Sequence, residues 1–443
     1  MEQATAEKLL MSIAANQLMV LCGAGLSMAA PSKLPSAAGV ARSCWAKYSE
    51  ILGEDLDAAL RDDIEGIARH FFALGHFESL FLSKLVPWED LKSAPNSGHD
   101  AIADFLACKV VSGVVSANFD TLCEDASNRL GERDFRAIVD TVDLAATPAH
   151  GPLLKVHGCA QRSRQTTIWC KEQLAGTSVK DRMDRFANWL KNHILGKDLL
   201  VVGFWSDWGY FGDLLAQNLT GIGPKTVYAV NPDSAAQLEL KAPKLWEWAH
   251  GPGVEFVHIR QSGDTALDEL RKLWSSRFVK RMLNESAAEY TTFFDAPAAP
   301  SPDLRTRLTS QQLYALRRDL TGVPATAPVR DRDPAACDLV AAAIHRRLID
   351  KGAEIDAHQY RYGGQTLRVV SGQGRSLSRM QKEFSAEPPI LSAVDRLVCA
   401  GAVAHPVPGH IVRGSTAGSI VRPGTSAAWS THEDLVLSLQ DPP

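Results

Sequence analysis

Five short clusters of small and polar residues, each directly after an apolar run, carry the residue types able to work on a phosphorylated sugar. Gly23-Ala24-Gly25-Leu26-Ser27 follows the run 17–22. Glycines there let backbone N–H groups approach a phosphate that a side chain would exclude, although a plain tight strand-to-helix turn uses the same residues. Ser116-Ala117-Asn118-Phe119-Asp120 closes the run 110–116. Asn118 and Asp120, leaving one strand tip together, can orient a ribose or an amide, or can cap the helix that starts at Thr121. In Lys155-Val156-His157-Gly158 the histidine follows a strand and precedes a glycine, the placement of a general base near neutral pH. A lone histidine is, however, more often structural. Gly203-Phe204-Trp205-Ser206-Asp207-Trp208 and Asn231-Pro232-Asp233 follow two further runs. Asn231 suits a sugar hydroxyl, and either cluster alone also suits a loop or a helix cap.

These clusters need elements that bring them to one edge. Residues 4–16 read as a helix and 17–22 as a buried strand. From about 40 to 110 the periodicity is helical, with Phe71, Phe72, Leu74, Phe77, Leu80, Phe81 and Leu85 spaced for one helix face. Apolar runs of four to seven residues return at 110–116, 153–156, 199–202, 226–230 and 254–259, and an amphipathic helix at 265–284 closes the region. Apolar strands alternating with helices imply a parallel sheet covered on both faces. Its ligand site belongs at the carboxyl ends of the strands.

The chain has 443 residues, 45% apolar and 22% charged, which excludes a mainly disordered, collagen-like or coiled-coil protein. That length calls for two or three domains, at roughly 150 residues per domain. The net charge of −4 does not mark a nucleic-acid binder. Eight cysteines, at 22, 44, 108, 123, 159, 170, 337 and 399, form no Cys-x-x-Cys pair. That argues against a structural zinc site and a disulfide framework, and fits a reducing cytosol. The run Gln17–Cys22 is too short to span a bilayer, so a cytoplasmic protein with no membrane association is expected.

In this order the five clusters resemble the SIR2 (sirtuin) family of NAD-consuming enzymes, over roughly residues 5–285. The resemblance implies a Rossmann-like doubly wound parallel sheet with a helical insertion. It implies that Gly23, Ala24, Gly25 and Ser27 cradle the NAD phosphates, with Gly203 and Ser206 bordering the adenosine ribose and phosphates. By the same resemblance Asn231 contacts the adenosine ribose, Asn118 and Asp120 meet the nicotinamide-side ribose and the amide, and His157 is the base. Protein deacylases of the family carry two Cys-x-x-Cys pairs after the His-Gly strand. Here Cys159 and Cys170 stand alone, with ten residues between them, and no second pair follows. Two thiols without partners cannot close a tetrahedral site, so no zinc is expected. The Pro-Asp-Phe-Arg of deacylases is Pro31-Ser32-Lys33-Leu34-Pro35-Ser36, and their Gly-Thr-Ser is Gly203-Phe204-Trp205. These departures look more like bacterial SIR2 proteins of phage defence, which hydrolyse NAD and commonly join a sensing or partner-binding domain. The expected activity is that of an NADase with NAD as substrate, working as a homo-oligomer or with a separately encoded defence protein. The alternative is a protein deacylase or ADP-ribosyltransferase. His70, His76, His99 and His193 read as core or capping residues, and the aromatics of 204–211 as adenine-pocket lining or core packing.

Composition shifts after 285. The Pro-, Ala- and Ser-rich stretch within 286–302 reads as a linker to a smaller α+β domain at 303–443. From 300 onward there are 15 arginines and 2 lysines against 14 acids, a net of +3 that leaves −7 before it. Helices are expected at 310–320, 335–351 and 376–384, with a hairpin about Gly363-Gly364 that also suits a winged-helix-like module. Arg361, Arg368, Arg375, Arg379 and Lys382 occur with no acid between 357 and 382. That segment suits a nucleic acid, a nucleotide signal or an acidic partner, or is a solvated basic face.

Overall fold

A computed structural model of the chain describes residues 1–132, 135–146, 152–206, 223–356, 359–384, 394–403 and 428–440. They form two compact units, Met1–Leu270 and Arg271–Pro443. In the first, six strands make one sheet: β1 (Leu18–Cys22), β2 (Gly113–Ser116), β3 (Leu153–Lys155), β4 (Asp198–Val202), β5 (Thr226–Val230) and β6 (Glu255–Ile259). Their order is β3-β2-β1-β4-β5-β6 and every pairing is parallel. This is a Rossmann-like doubly wound sheet, and the strand order reverses between β1 and β4. Helices cover both faces, so β1, β2 and β5 are buried along their whole length. That burial is why these strands read as unbroken apolar runs.

The helical insertion between β1 and β2 contains the helices Ala37–Leu52, Ile64–Ala73, Phe77–Leu85 and Ser97–Ala107. The apolar positions from Phe71 to Leu85, expected to share one helix face, lie on two helices. Gly75 breaks the pattern with φ of +73°, and the amides of Gly75 and His76 donate to the carbonyls of Phe72 and Phe71. A left-handed residue after the last turn is the usual way to end a helix, and glycine takes it without a Cβ penalty. Phe71, Phe77 and Phe81 are buried, whereas Phe72 and Leu74 reach solvent.

The second unit holds a five-stranded mixed sheet in the order β11-β10-β9-β8-β7: β7 (Glu354–Asp356), β8 (Gln359–Tyr362), β9 (Gln365–Ser371), β10 (Arg396–Ala400) and β11 (Ala428–Ser430). The expected hairpin is β8–β9, but β9 also pairs parallel with β10, and β10 with β11. The winged-helix-like expectation therefore gives way to a mixed α/β sheet. The start of the expected linker is a helix, Ala287–Phe294, whose Tyr290 and Phe294 are buried in this unit's core.

Arginine enrichment has a structural use here. Arg317 is fully buried over the rings of Phe278 and Tyr314, with centroid distances of 5.2 and 5.7 Å. Arg347 stacks on Phe294 and donates to the carbonyl of Leu439. The acid-free stretch 357–382 does not present free cations from its arginines. Arg361 pairs with Asp356, Arg368 with Asp319, and both Arg375 and Arg379 with Glu383. The acids come from outside the stretch, two of them just beyond its ends and Asp319 about fifty residues earlier. Arg368 and Asp319 are both buried, joined by Nε–Oδ2 at 3.0 Å and Nη2–Oδ1 at 2.6 Å. Removing one member of such a pair strands a buried charge, so Arg368→Met should lower the stability of this unit by about 3–5 kcal/mol in chemical denaturation. A loss within about 1 kcal/mol, the range of exposed pairs, would contradict that reading.

Candidate functional site

At the sheet's switch point two loops meet, one after β1 and one after β4. The amide of Gly23 donates to the carbonyl of Val202 at 3.1 Å and that of Gly25 to the carbonyl of Gly203 at 2.9 Å. A Cβ on Gly25 would stand 2.9 Å from Gly203 Cα, and one on Gly203 only 2.3 Å from the Leu26 nitrogen. Gly203 also has φ of +62°. These glycines are therefore demanded by backbone-to-backbone packing, and the amides of Gly23 and Gly25 are already used inside the protein. The expectation that those two N–H groups serve a phosphate gives way to this packing role.

A cavity of about 260 Å³ opens over this junction, lined by Ala24, Ser27, Asn118, Asp120, Gly203 and Ser206 among others. Six of the residues expected at the site thus face one space. The helical insertion supplies much of its apolar wall through Leu34, Pro35, Val40, Ile64 and Leu91. Phe119 and Trp169 also line it and stack at 4.3 Å, and Trp169 packs edge-on against Phe81 and Trp88.

Ser27 is the polar centre. Its hydroxyl donates to Asp120 Oδ2 at 2.9 Å and accepts from Asn118 Nδ2 at 3.1 Å. His99 Nε2 lies 3.2 Å from the same oxygen. His99 Nδ1 accepts the amide hydrogen of Asn96, so Nε2 carries the ring hydrogen and donates it to Ser27. Both lone pairs of the hydroxyl are then filled and its proton is committed. Ser27 is a junction that orients Asn118 and Asp120, not a nucleophile. Asp120 is fixed further by the Leu122 amide on Oδ1. With one hydrogen of Asn118 Nδ2 on Ser27, its second amide hydrogen and its amide oxygen are left for a molecule in the cavity.

His99 was expected as a core or capping residue, and it does cap. With Asn96 it forms the capping box of helix Ser97–Ala107. Its contact with Ser27, 72 residues earlier, has no sequence signal beyond that cap. His157 sits behind the cavity wall, fully buried, its Nδ1 2.6 Å from the carbonyl of Ala117. A carbonyl only accepts, so Nδ1 bears the hydrogen and Nε2 is the basic nitrogen. Burial depresses its pKa to about 3, against a smaller upward pull from that carbonyl, and so keeps the ring neutral. Burial also lowers that of His99, opposed by Asp120. Asn231 is not brought to the cavity: its side chain accepts from the Asp233 amide at 2.9 Å in a local turn. Phe204 and Trp205 line the cavity, while 207–211 lie outside the described residues.

The segment between Cys159 and Cys170 folds back on β3, with the Ile168 amide bonded to the His157 carbonyl and Gln173 Oε1 taking the amides of Trp169 and Cys170. Burial pushes the Cys170 thiol up to about 12. Among the described residues no three His, Cys, Asp or Glu side chains form a group able to hold a metal ion.

The two histidines should show opposite neutral tautomers in long-range ¹⁵N–¹H spectra, Nε2–H for His99 and Nδ1–H for His157. Matching tautomers would undo the assignment of Ser27. Between about pH 6.5 and about 3 the unfolded chain takes up a proton that folded His157 refuses. Stability should therefore fall as pH drops through that window, with a shallower slope of melting temperature against pH in His157→Gln.

The chain is similar to solved structures, among them a Sir2 homolog–NAD complex with 17% identity over 60% of this chain and 91% of that one, at a TM-score of 0.34. Another is Sir2 in complex with the inhibitor EX-527, 2′-O-acetyl-ADP-ribose and deacetylated p53 peptide, with 11% identity over 60% of this chain and 98% of that one, at a TM-score of 0.35. No curated protein sequence matches the chain. The family model that does match is the SIR2-like domain, over residues 112–250, the stretch that delivers Asn118, Asp120, His157, Gly203 and Ser206.

Proposed function

We propose that the chain hydrolyses NAD to nicotinamide and ADP-ribose. The observation that carries this reading is the convergence of Ser27, Asn118 and Asp120 on a largely apolar cavity at the sheet's switch point. The SIR2-like match over 112–250 and the solved Sir2 complex with NAD support NAD as the substrate class. Asp120 accepts from the nicotinamide amide, and the apolar wall receives the pyridine ring. The bond from ribose C1′ to the nicotinamide nitrogen breaks with its electron pair leaving on nitrogen, through an oxocarbenium-like state. Asn118 positions the water whose oxygen bonds to C1′, and His157 takes the proton, a step worth about 10²–10⁴-fold. Burial keeps His157 unprotonated but also lowers its basicity, and the negative charge of a bound diphosphate favours its proton uptake. Gly23, Ala24, Gly25, Gly203 and Ser206 frame the phosphates and adenosine. Asn231 reaches the adenosine ribose only after leaving its local turn.

The lone Cys159 and Cys170, in place of two Cys-x-x-Cys pairs, favour water over an acyl-lysine as acceptor. The wider reading is a cytoplasmic effector of anti-phage defence, with residues 1–285 catalytic and 303–443 sensing a signal or a partner, in an oligomer or in complex with a separately encoded protein. No helix among the described residues is long and apolar enough to cross a membrane.

The test is nicotinamide release from NAD by the purified protein beside Asn118→Ala and His157→Ala. Release without any acylated peptide, lost in both variants, is expected. A requirement for an acylated peptide would replace hydrolysis with deacylation. Retained turnover in His157→Ala would remove the base assignment.

A further inference from the structure

β3 and the turn after it deliver two buried side chains, two residues apart, and only His157 has a place in the chemistry so far. Lys155 is the other. Its side chain is 1% exposed, and its ammonium lies beneath the Asn118–Asp120 loop. Nζ donates to the carbonyl of Asp120, to the carbonyl of Phe119 at 3.3 Å and to Glu124 Oε1 at 3.0 Å. An ammonium has three hydrogens. Four acceptors share them: the two backbone oxygens of the loop, the carboxylate and Cys159 Sγ at 3.6 Å.

A buried ammonium needs partners for all its hydrogens, and here two of them are carbonyls of the loop that carries Asn118 and Asp120. Those carbonyls belong to two of the three residues between Asn118 and helix Leu122–Arg129, which have no sheet partner once β2 ends at Ser116. Buried carbonyls need a donor. Phe119 finds a second one in the Ala160 amide at 2.9 Å, from the segment after His157. Asp120 is thus held from two sides, its carboxylate by Ser27 and the Leu122 amide and its carbonyl by Lys155. Burial by itself would discourage the charge on Lys155, but Glu124 together with Cys159 and Asp120 more than offsets this and keeps the ammonium protonated.

We propose that Lys155 is a positioning residue: its ammonium clamps the carbonyls of Phe119 and Asp120 and so sets where Asn118 and the Asp120 carboxylate meet the substrate, while Glu124 holds the ammonium in place. Lys155 ends β3 and His157 lies two residues beyond it, so the clamp and the base are tied to the same strand end. The catalytic consequence rests on the NAD-hydrolysing reading above; the placement of the loop does not.

The test compares Lys155→Met, Glu124→Gln and the double variant. Lys155→Met strands a buried carboxylate, so its melting temperature should fall, and the double variant should recover most of that loss. Nicotinamide release separates the two roles. If Lys155 holds the loop, the double variant regains stability but keeps a kcat lower on the order of 10²-fold, as expected of a misplaced reacting group, with little change in KM for NAD. Glu124→Gln, which leaves both carbonyl bonds, should keep most of the rate. Recovery of both melting temperature and kcat in the double variant would overturn the clamp and leave a simple ion pair. A readout independent of activity is the ¹⁹F resonance of 5-fluorotryptophan at Trp169, which stacks on Phe119. It should move in the double variant and stay in place in Glu124→Gln. Wild-type protein that releases no nicotinamide, with that shift present, would refute the hydrolase reading and keep the clamp. An unmoved resonance would refute the clamp whatever the activity.

Discussion

Two backbone loops approach each other at the carboxyl ends of β1 and β4 as closely as peptide chains can. Gly25 touches Gly203 with no room for a Cβ on either, and their hydrogen bonds continue the sheet ladder past its last strand residues. This contact places Ser27 one helical turn into the first loop, over the tip of β2. There its hydroxyl reaches Asp120 and Asn118 together. A side chain at Gly25 or Gly203 would push the loops apart and dissolve that three-way junction, although neither glycine takes part in it.

Around the junction, position is secured from several directions by neutral or internally paired groups. His99 donates to Ser27 because its other nitrogen is occupied by a helix cap. His157 is held by one carbonyl and kept neutral by burial. Lys155 anchors the loop between them from below. Preorganised polar groups in a cavity with apolar walls interact with a bound charge more strongly than the same groups in water would. The helical insertion makes that environment by closing one side of the cavity with Leu34, Val40, Ile64 and Leu91.

The second unit shows how far local charge counting can mislead. Its arginine-rich stretch looks like an anion-binding face when read along the chain. In the fold Arg368 is buried against Asp319, and Arg375 and Arg379 share Glu383. Arginine suits such places because its planar, weakly hydrated guanidinium stacks on rings and forks onto carboxylates. The enrichment reports how this core is built, with Arg317 and Arg347 lying over aromatic rings.

The residue order by itself determined the parallel sheet, the positions of its strands to within a few residues, and five polar clusters at strand tips. Doubly covered parallel strands must be apolar throughout, so the clusters stand out at their ends, and a sheet with all strands parallel brings those ends to one edge. Only the tertiary structure decided what the clusters do there. It committed the amides of Gly23 and Gly25 to packing between the loops, kept Asn231 in its own turn, and split one apparent helix face at Gly75. It also recruited His99 and Lys155, whose partners lie 72 and 35 residues away along the chain. Periodicity reports whether a position is buried. Which donor meets which acceptor depends on crossings between distant segments, and a linear pattern carries no record of those.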